Sequence, residues 1–283
     1  MASHSYRRKF ERRPPYIPAG GVAFALPKKL AEANAEEAVT ISLICHRRLF
    51  GECYSRIFPK YRFSVSEISG VFILSFAETK LFLSGVERPG DIDLLIVPYE
   101  KDELILDQAF ALEVKIVRAS YERQGKSPNE FGFSQGRALL EMGFPYVGVA
   151  HLIVSDESPQ EAWREMRRYE VLDQDGNVGN EGIDVLDHLP WMLVERVYGR
   201  LAKACVNDDL ALLSAFVKHS DEGLAAKYSG VVWMPVGRVA RRNPKINSRL
   251  LDAIGDFFIA RPNYWFDSPS RDPRSEVPEG ARD

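Results

Sequence analysis

Two short apolar runs separated by a charged loop organise the pattern of hydrophobic and polar positions. Asp91 to Val97 (DIDLLIV) opens polar and turns continuously apolar, as a strand does on entering a sheet covered on both faces. Phe110 to Val117 is of the same type, and the charged stretch between them, Pro98 to Gln108, has the length of a wide hairpin loop. Downstream, Ser134 to Met142 has helical spacing and is ended by Gly143 and Pro145, after which Tyr146 to Val154 predicts another strand. Upstream, Pro27 to Phe50 places Leu30, Ala33, Ala38, Ile41, Leu43 and Ile44 at helical spacing, with Glu32, Glu36 and Glu37 at other positions. His46-Arg47-Arg48 lies near the predicted C-terminal end, where positive charge complements the helix dipole and His46 serves as a cap or surface residue.

Ser64-Val65-Ser66-Glu67 stands ahead of Ile68, Val71, Phe72 and Leu74, which predicts a helix capped by Ser64 with Glu67 at its third position. Lys80 to Ser84 then predicts a first strand, and Arg88-Pro89-Gly90 a turn into Asp91. Beyond residue 155, Ser158-Pro159 predicts a helix whose basic face carries Arg164, Arg167 and Arg168. Asp173 to Gly179 resembles a calcium loop, but Val178 and Asp184 stand where an EF-hand needs glycine and glutamate, so a polar turn is expected. Two amphipathic helices follow, Met192 to Val206 and Asp208 to His219, then a strand over residues 229–240 and a helix from Ser248 to Ile259. The chain thus divides into a mobile basic arm (1–26, with Arg7, Arg8, Lys9, Arg12 and Arg13), a helical extension (27–63), an α/β core (64–170), a mostly helical region (171–267) and a disordered tail (268–283).

A composition of 45% hydrophobic and 27% charged residues is that of a globular chain, and a net charge of −3 restricts any nucleic-acid surface to a local patch. Three cysteines (Cys45, Cys53 and Cys205) form no CxxC and leave one unpaired, which argues for buried thiols in a reducing compartment. No apolar run approaches the ~18 residues of a membrane span. Prolines 14, 15 and 18 interrupt any signal-peptide core, so a cytoplasmic, non-membrane protein is expected.

The chemistry concentrates where the two strands meet. Alternation puts Asp91 with Asp93 on one face and Glu113 with Lys115 on one face, and neighbouring strands would bring these charges together. Such burial is costly unless the groups pair with each other or with a cation. Asp93 and Glu113 can hold a hard divalent metal through oxygen, and Lys115 can reach a phosphate or an attacking water. At Gly90-Asp91-Ile92-Asp93 and Glu113-Val114-Lys115 the chain resembles the PD-(D/E)XK nucleases of the restriction-endonuclease-like superfamily, over about 90 residues. The resemblance implies an αβββαβ core with a central mixed sheet, here with helical additions at both ends. It also implies Mg2+ (or Mn2+) held by Asp93, Glu113 and the Val114 carbonyl, with Lys115 acting on water and on the developing phosphate charge. Asp91 would support from behind. A further carboxylate from the preceding helix could be Glu67, with Glu78 as rival, although Glu67 equally completes a capping box. Gln135 at the start of the Ser134 helix is either a site residue or an ordinary helix-start residue; the tyrosine that follows four residues later in some branches is Leu139 here.

A metal-dependent nuclease, with DNA the favoured substrate, is therefore the expected function, suited to defence or DNA processing. The densest basic cluster outside the arm, Arg238, Arg241, Arg242 and Lys245, with Trp233, Tyr264 and Trp265 near it in sequence, is the candidate nucleic-acid surface. The chain has no ATPase or DNA-reading module of its own, so protein partners could supply targeting, and a binding subunit with a nuclease-like fold is a second reading. A third is a nucleotidyltransferase, because GDIDLL also resembles that superfamily's metal-binding strand; Lys115 would have no role in it.

Overall fold

The apolar runs come together in the middle of one large sheet. In the computed structural model, which describes residues 6–14, 27–33, 35–59, 69–82, 91–217 and 234–270, the chain begins with β1 (Arg7–Lys9), α1 (Lys28–Glu32), α2 (Glu36–Cys45), α3 (Arg47–Ile57) and β2 (Ser69–Glu78). There follow β3 (Asp91–Glu100), β4 (Glu103–Ile105), β5 (Phe110–Arg118), α4 (Phe133–Met142) and β6 (Tyr146–Val154). A hairpin of β7 (Arg164–Val171) and β8 (Val178–Leu186) leads into α5 (Leu189–Ala204), β9 (Ala211–Phe216), β10 (Val236–Arg238), α6 (Ser248–Ala260) and β11 (Phe266–Pro269).

Across the sheet the strands run β11, β2, β3, β5, β6, β9, β10, and β4 with β1 shares one edge of β3 with β5. The β5–β6 and β6–β9 pairs are parallel; the other pairs are antiparallel. The protein is thus of the mixed α/β class. Parallel neighbours need a crossover, which α4 provides between β5 and β6 and which the β7–β8 hairpin with α5 provides between β6 and β9. Side chains alternate, so each central strand buries both faces. Leu94, Ile96, Leu112, Val114 and Ala150 pack under Val39, Ile44, Leu49 and Tyr54 of α2 and α3, while Leu95, Val97, Ala111, Val147 and Val149 pack under Leu139, Leu250, Ile254 and Phe258 of α4 and α6. Residue Gly143 ends α4 at φ +98°, and a Cβ there would lie 2.6 Å from the Asn247 N, so that turn accepts only glycine. Asn247 in turn caps α6, its side chain accepting the Arg249 and Leu250 N–H groups.

Several sequence expectations change. The run around Val71 to Leu74 is not a helix but β2, buried between β3 and β11; in a continuous apolar run, periodicity cannot separate a helix from a doubly covered strand. Ser64 to Ile68, including Glu67, lie outside the described residues, and Thr79–Leu81 is a short 3-10 turn where a first strand was expected. The single helix over Pro27 to Phe50 is three helices. His46 stands at the joint, its Nδ1 accepting the Leu49 N–H at 3.0 Å, so it caps the helix that follows it. The helix expected from Ser158 is a strand: Arg164, Arg167 and Arg168 lie on β7, every residue of which is exposed, and the polar turn at Asp173 to Gly179 closes the hairpin. Instead of forming one basic face, Arg167 pairs with Glu181 and Arg168 with Asp184 across the ribbon.

The helix expected over Asp208 to His219 contains β9, wholly buried, and the strand expected over 229–240 is described only as Val236–Arg238. Both β9 and β10 extend the central sheet, so region 171–267 is not a mostly helical addition. The basic arm contributes a strand, Arg7–Lys9, and buries Phe10 against Phe72, Tyr99 and Phe258; residues 15–26 lie outside the described residues. Ser268 and Pro269 belong to β11 rather than to a disordered tail, and 271–283 lie outside the described residues. All three cysteines are free, but only Cys53 is buried. Among the described residues no helix is long and apolar enough to cross a membrane.

The strand β11 is tied to β3 across β2. The buried Tyr99 hydroxyl donates to Asp267 Oδ1 at 2.9 Å, and burial raises the Asp267 carboxyl above its usual range although Tyr99, Arg13 and Arg47 oppose this. Removing that donor leaves a buried carboxylate oxygen unsatisfied. Tyr99→Phe is expected to lower unfolding free energy by about 1–3 kcal/mol in a urea titration; an unchanged midpoint would show that the hydroxyl carries none of the tie.

Candidate active site

The ladder between β3 and β5 runs through Ile96↔Phe110, Leu95↔Ala111 and Leu94↔Leu112, and stops there. Asp93 and Glu113 come next. From this point β5 keeps only its parallel partner β6, with which it pairs along its whole length. The Val114 N–H, left without a strand acceptor, donates instead to Asp93 Oδ2 at 2.6 Å. On the other edge of β3 the register skips as well: Ser75 pairs with Leu94 and Ala77 with Ile92, while Phe76, opposite Asp93, adopts φ +52°. A bulky side chain in the left-handed region costs on the order of 1–3 kcal/mol, and it does so at the residue facing the carboxylate.

Around the gap the side chains converge. Lys115 Nζ lies 2.7 Å from Glu113 Oε1 and 3.7 Å from Glu36 Oε1, in the first turn of α2. Asp93 is only 8% exposed and Glu113 4%. Gly132 (φ +82°), just ahead of α4, backs the pair: a Cβ there would lie 3.1 Å from Glu113 Cγ and 3.5 Å from Lys115 Cγ. His151, opposite Lys115 in the β5–β6 register, is buried with its Nε2 3.2 Å from the Phe131 carbonyl oxygen. Burial, then the charges of Lys115 and Arg200, push its pKa down to about 4 against that hydrogen bond. The ring is therefore neutral at pH 7 and donates through Nε2–H.

The carboxyls shift the other way. Burial, then the charge of Glu113, pushes Asp93 up to about 7 in spite of the Val114 N–H. Burial raises Glu113 too, against its bonds to Lys115 and Asp93, and Glu36 is raised by burial although Lys115 opposes it. Burial alone would lower the Lys115 ammonium, but Glu113, Glu36 and Asp93 outweigh it and the pKa is raised. Three carboxyls thus share one ammonium.

Asp93, Glu113, the Val114 backbone and Lys115 are brought together. Asp91 is not part of the group: it is exposed, pairs opposite Glu78 in the sheet and lies in the field of Lys80, so the expected supporting position behind Asp93 is not formed. Glu78, the rival metal-side carboxylate, pairs with Lys80, and Glu67 lies outside the described residues. Gln135 sits half-buried in the first turn of α4, its amide oxygen accepting the Ser134 hydroxyl at 2.7 Å.

The expected basic surface is mostly spent on structure. Arg238 donates to the carbonyls of Asn207 (2.9 Å) and Leu210 (3.1 Å) and pairs with Asp208, which also pairs with Arg241. Arg242 pairs with Asp107 beside Tyr146, at the start of β6 and away from the carboxylates, and Lys245 is exposed. Tyr146 lies three residues from Val149, the partner of Glu113, so the distance along the strand is roughly 10 Å.

Glu36, Gly132 and His151 escaped sequence reasoning. His151 had a visible signal, since it is the one ionisable side chain of known proton-transfer type in the otherwise apolar strand YVGVAHLIV. Glu36 had none beyond its place in a helix first turn. Comparisons with protein-family models, with curated proteins and with solved structures find no match.

The raised carboxyls make stability depend on pH. The folded chain holds the Asp93 proton more tightly than the unfolded chain, so this contribution is full below the ordinary carboxylate range and is lost as pH rises toward about 7. In chelator, the melting temperature of wild type relative to Asp93→Asn is expected to fall between pH 4 and pH 7. A constant difference across that window would mean that the carboxyl titrates normally.

Proposed function

We propose that the protein is a metal-dependent nuclease that hydrolyses phosphodiester bonds, with DNA the favoured substrate. The observation that carries this reading is the meeting of Asp93, Glu113 and Lys115 where β3 and β5 part, the three residues through which the sequence resembles the PD-(D/E)XK nucleases. The element order supports it: α3, β2, β3, β5, α4 and β6 follow as helix, three strands, helix and strand, with α4 crossing between parallel neighbours.

A hard divalent cation fits the residues present. The donors are carboxylate oxygens with a backbone carbonyl at Val114, and three acids stand around the Lys115 ammonium, with Arg118 also acting on Glu36. Among the described residues no three His, Cys, Asp or Glu side chains are grouped so as to hold a metal on their own. A two-carboxylate set of this kind suits magnesium or manganese, which keep waters and take substrate phosphate oxygens to complete their shell. Asp93 and Glu113 would hold the ion, which when bound supplies Lewis acidity toward a phosphate oxygen.

The chain's own groups do the rest. The Val114 N–H fixes Asp93 Oδ2 in place. Lys115, whose pKa is raised, acts as an ammonium: it orients a water or a phosphate oxygen and stabilises the charge that develops in the transition state. Glu113 holds the ammonium; with an ion bound, Asp93 and Glu113 would stay ionised as its ligands, so the proton of an attacking water would leave to solvent. A nucleotidyltransferase would need Asp91 to share the site with Asp93, but Asp91 is exposed opposite Glu78 while Asp93 is buried, which gives that reading no support.

Wild type, Asp93→Ala and Lys115→Ala are to be incubated with supercoiled, linear and single-stranded DNA and with RNA, in magnesium, in manganese and in chelator. Metal-dependent cleavage by wild type is expected, reduced about 100-fold or more in each variant. Absence of cleavage of every substrate in both metals would sink the proposal.

A further inference from the structure

The loop over residues 119–131 connects β5 to α4 and passes the site, since its last residue, Phe131, accepts the His151 Nε2–H. Two arginines of α5 grip this loop. Arg200 donates through Nη2 to the Lys126 carbonyl, and Arg196 through Nη1 to Gln124 Oε1. They stand four residues apart on one helix, the spacing at which like charges repel. Among the described residues neither pairs with a carboxylate. This contrasts with Arg238, Arg241 and Arg242, each of which has an acidic partner.

The same arginines belong to the neighbourhood of the candidate site. His151 lies in the field of both Lys115 and Arg200, whose charges add to burial in holding its pKa down. Arg200 is half-buried, and its own pKa is lowered by burial and by Arg196, with no carboxylate offsetting them. Arg123 and Lys126 are exposed on the gripped loop. Glu122 and Glu130 lie on it too, but neither contributes to the shift of Arg200. Two guanidiniums held by neutral acceptors, close to each other and without a counter-ion, form an arrangement that an external anion stabilises, and each retains N–H groups beyond the one used on the loop.

We propose that Arg196 and Arg200 form a phosphate subsite that holds the nucleic-acid backbone beside the reacting position, with the 119–131 loop as its rim. The proposal rests on the nuclease reading for its substrate class, and it puts the strand across α5 rather than across the basic cluster at residues 238–245. The ligand chemistry is a phosphodiester, from DNA or RNA. Arg200 contributes twice, as a charge and as the anchor of the loop, and the two contributions are separable by substitution. Arg200→Gln keeps an amide donor for the Lys126 carbonyl and removes the charge; Arg200→Lys keeps the charge.

The test is binding of fluorescently labelled single-stranded and duplex DNA and of single-stranded RNA in chelator across a range of salt concentrations, with cleavage and melting temperature measured in parallel. Each lost phosphate contact lowers the slope of log K against log salt by about 0.7–0.9. Arg196→Gln and Arg200→Gln are therefore each expected to lower the slope by nearly one, to weaken binding and to raise KM more than they lower kcat, with melting temperature kept. Arg200→Lys is expected to restore the slope. The source of the phosphate is read from which oligonucleotide shows the loss. Wild-type slopes and KM in both Gln variants would overturn the subsite while leaving the nuclease reading intact. Equal weakening by Arg200→Gln and Arg200→Lys would overturn it in favour of loop anchoring alone. Binding that depends on both arginines in a protein that cleaves nothing would support the subsite and refute the nuclease reading. A wild type that binds none of the oligonucleotides would overturn the subsite.

Discussion

One hydrogen bond sets the terms for the rest of the structure: the Val114 N–H, abandoned by β3, is taken up by the carboxylate of Asp93. A buried amide donor must find an acceptor, and a charge-assisted bond of this kind contributes about 1.5–3 kcal/mol. With it in place, two strands part in mid-sheet without leaving the backbone unsatisfied there. The opening exposes Glu113 and Lys115 to each other and to Glu36 on α2. The left-handed Phe76 on the far edge of β3 belongs to the same distortion, and the buried ladders of β2 and β6 on either side hold it in place.

The electrostatic state of the site follows from that geometry. Three acids and one ammonium in low dielectric cannot all be ionised cheaply, and the raised pKa values of Asp93, Glu113 and Glu36 express this. The surrounding sheet, buried on both faces, supplies the stability that the charge cluster lacks. The acids gather around Lys115, and the arginines of α5 are held by neutral acceptors.

What was legible in the sequence was local. Asp91 to Val97, Phe110 to Val117 and Tyr146 to Val154 are strands because their runs are short, apolar and closed by turn residues, and α4 ends where Gly143 requires. The motif residues Asp93, Glu113 and Lys115 could be chosen because the strands that carry them are adjacent. The strands β2 and β9 were illegible for the same reason that they are stable: burial on both faces erases the alternation that identifies a strand. The β7–β8 ribbon buries neither face of β7, so its charged residues carried no core signal and were equally consistent with a helix. Glu36 reaches Lys115 through the docking of α2, and Arg242 finds Asp107 through the docking of its loop on β6. Neither contact has a trace in local spacing.

The outermost strand next to β2 comes from the far end of the described chain: Phe266–Pro269 pairs with Gly70–Ile73, almost two hundred residues earlier. During synthesis, β2 waits with an open edge while everything between it and β11 is made. Such a pairing has a large loop-closure entropy and forms slowly. Because β2 also pairs with the strand that bears Asp93, the late pairing completes the sheet behind the charged cluster. Until β11 is made, the edge of β2 away from the charged cluster has no partner strand.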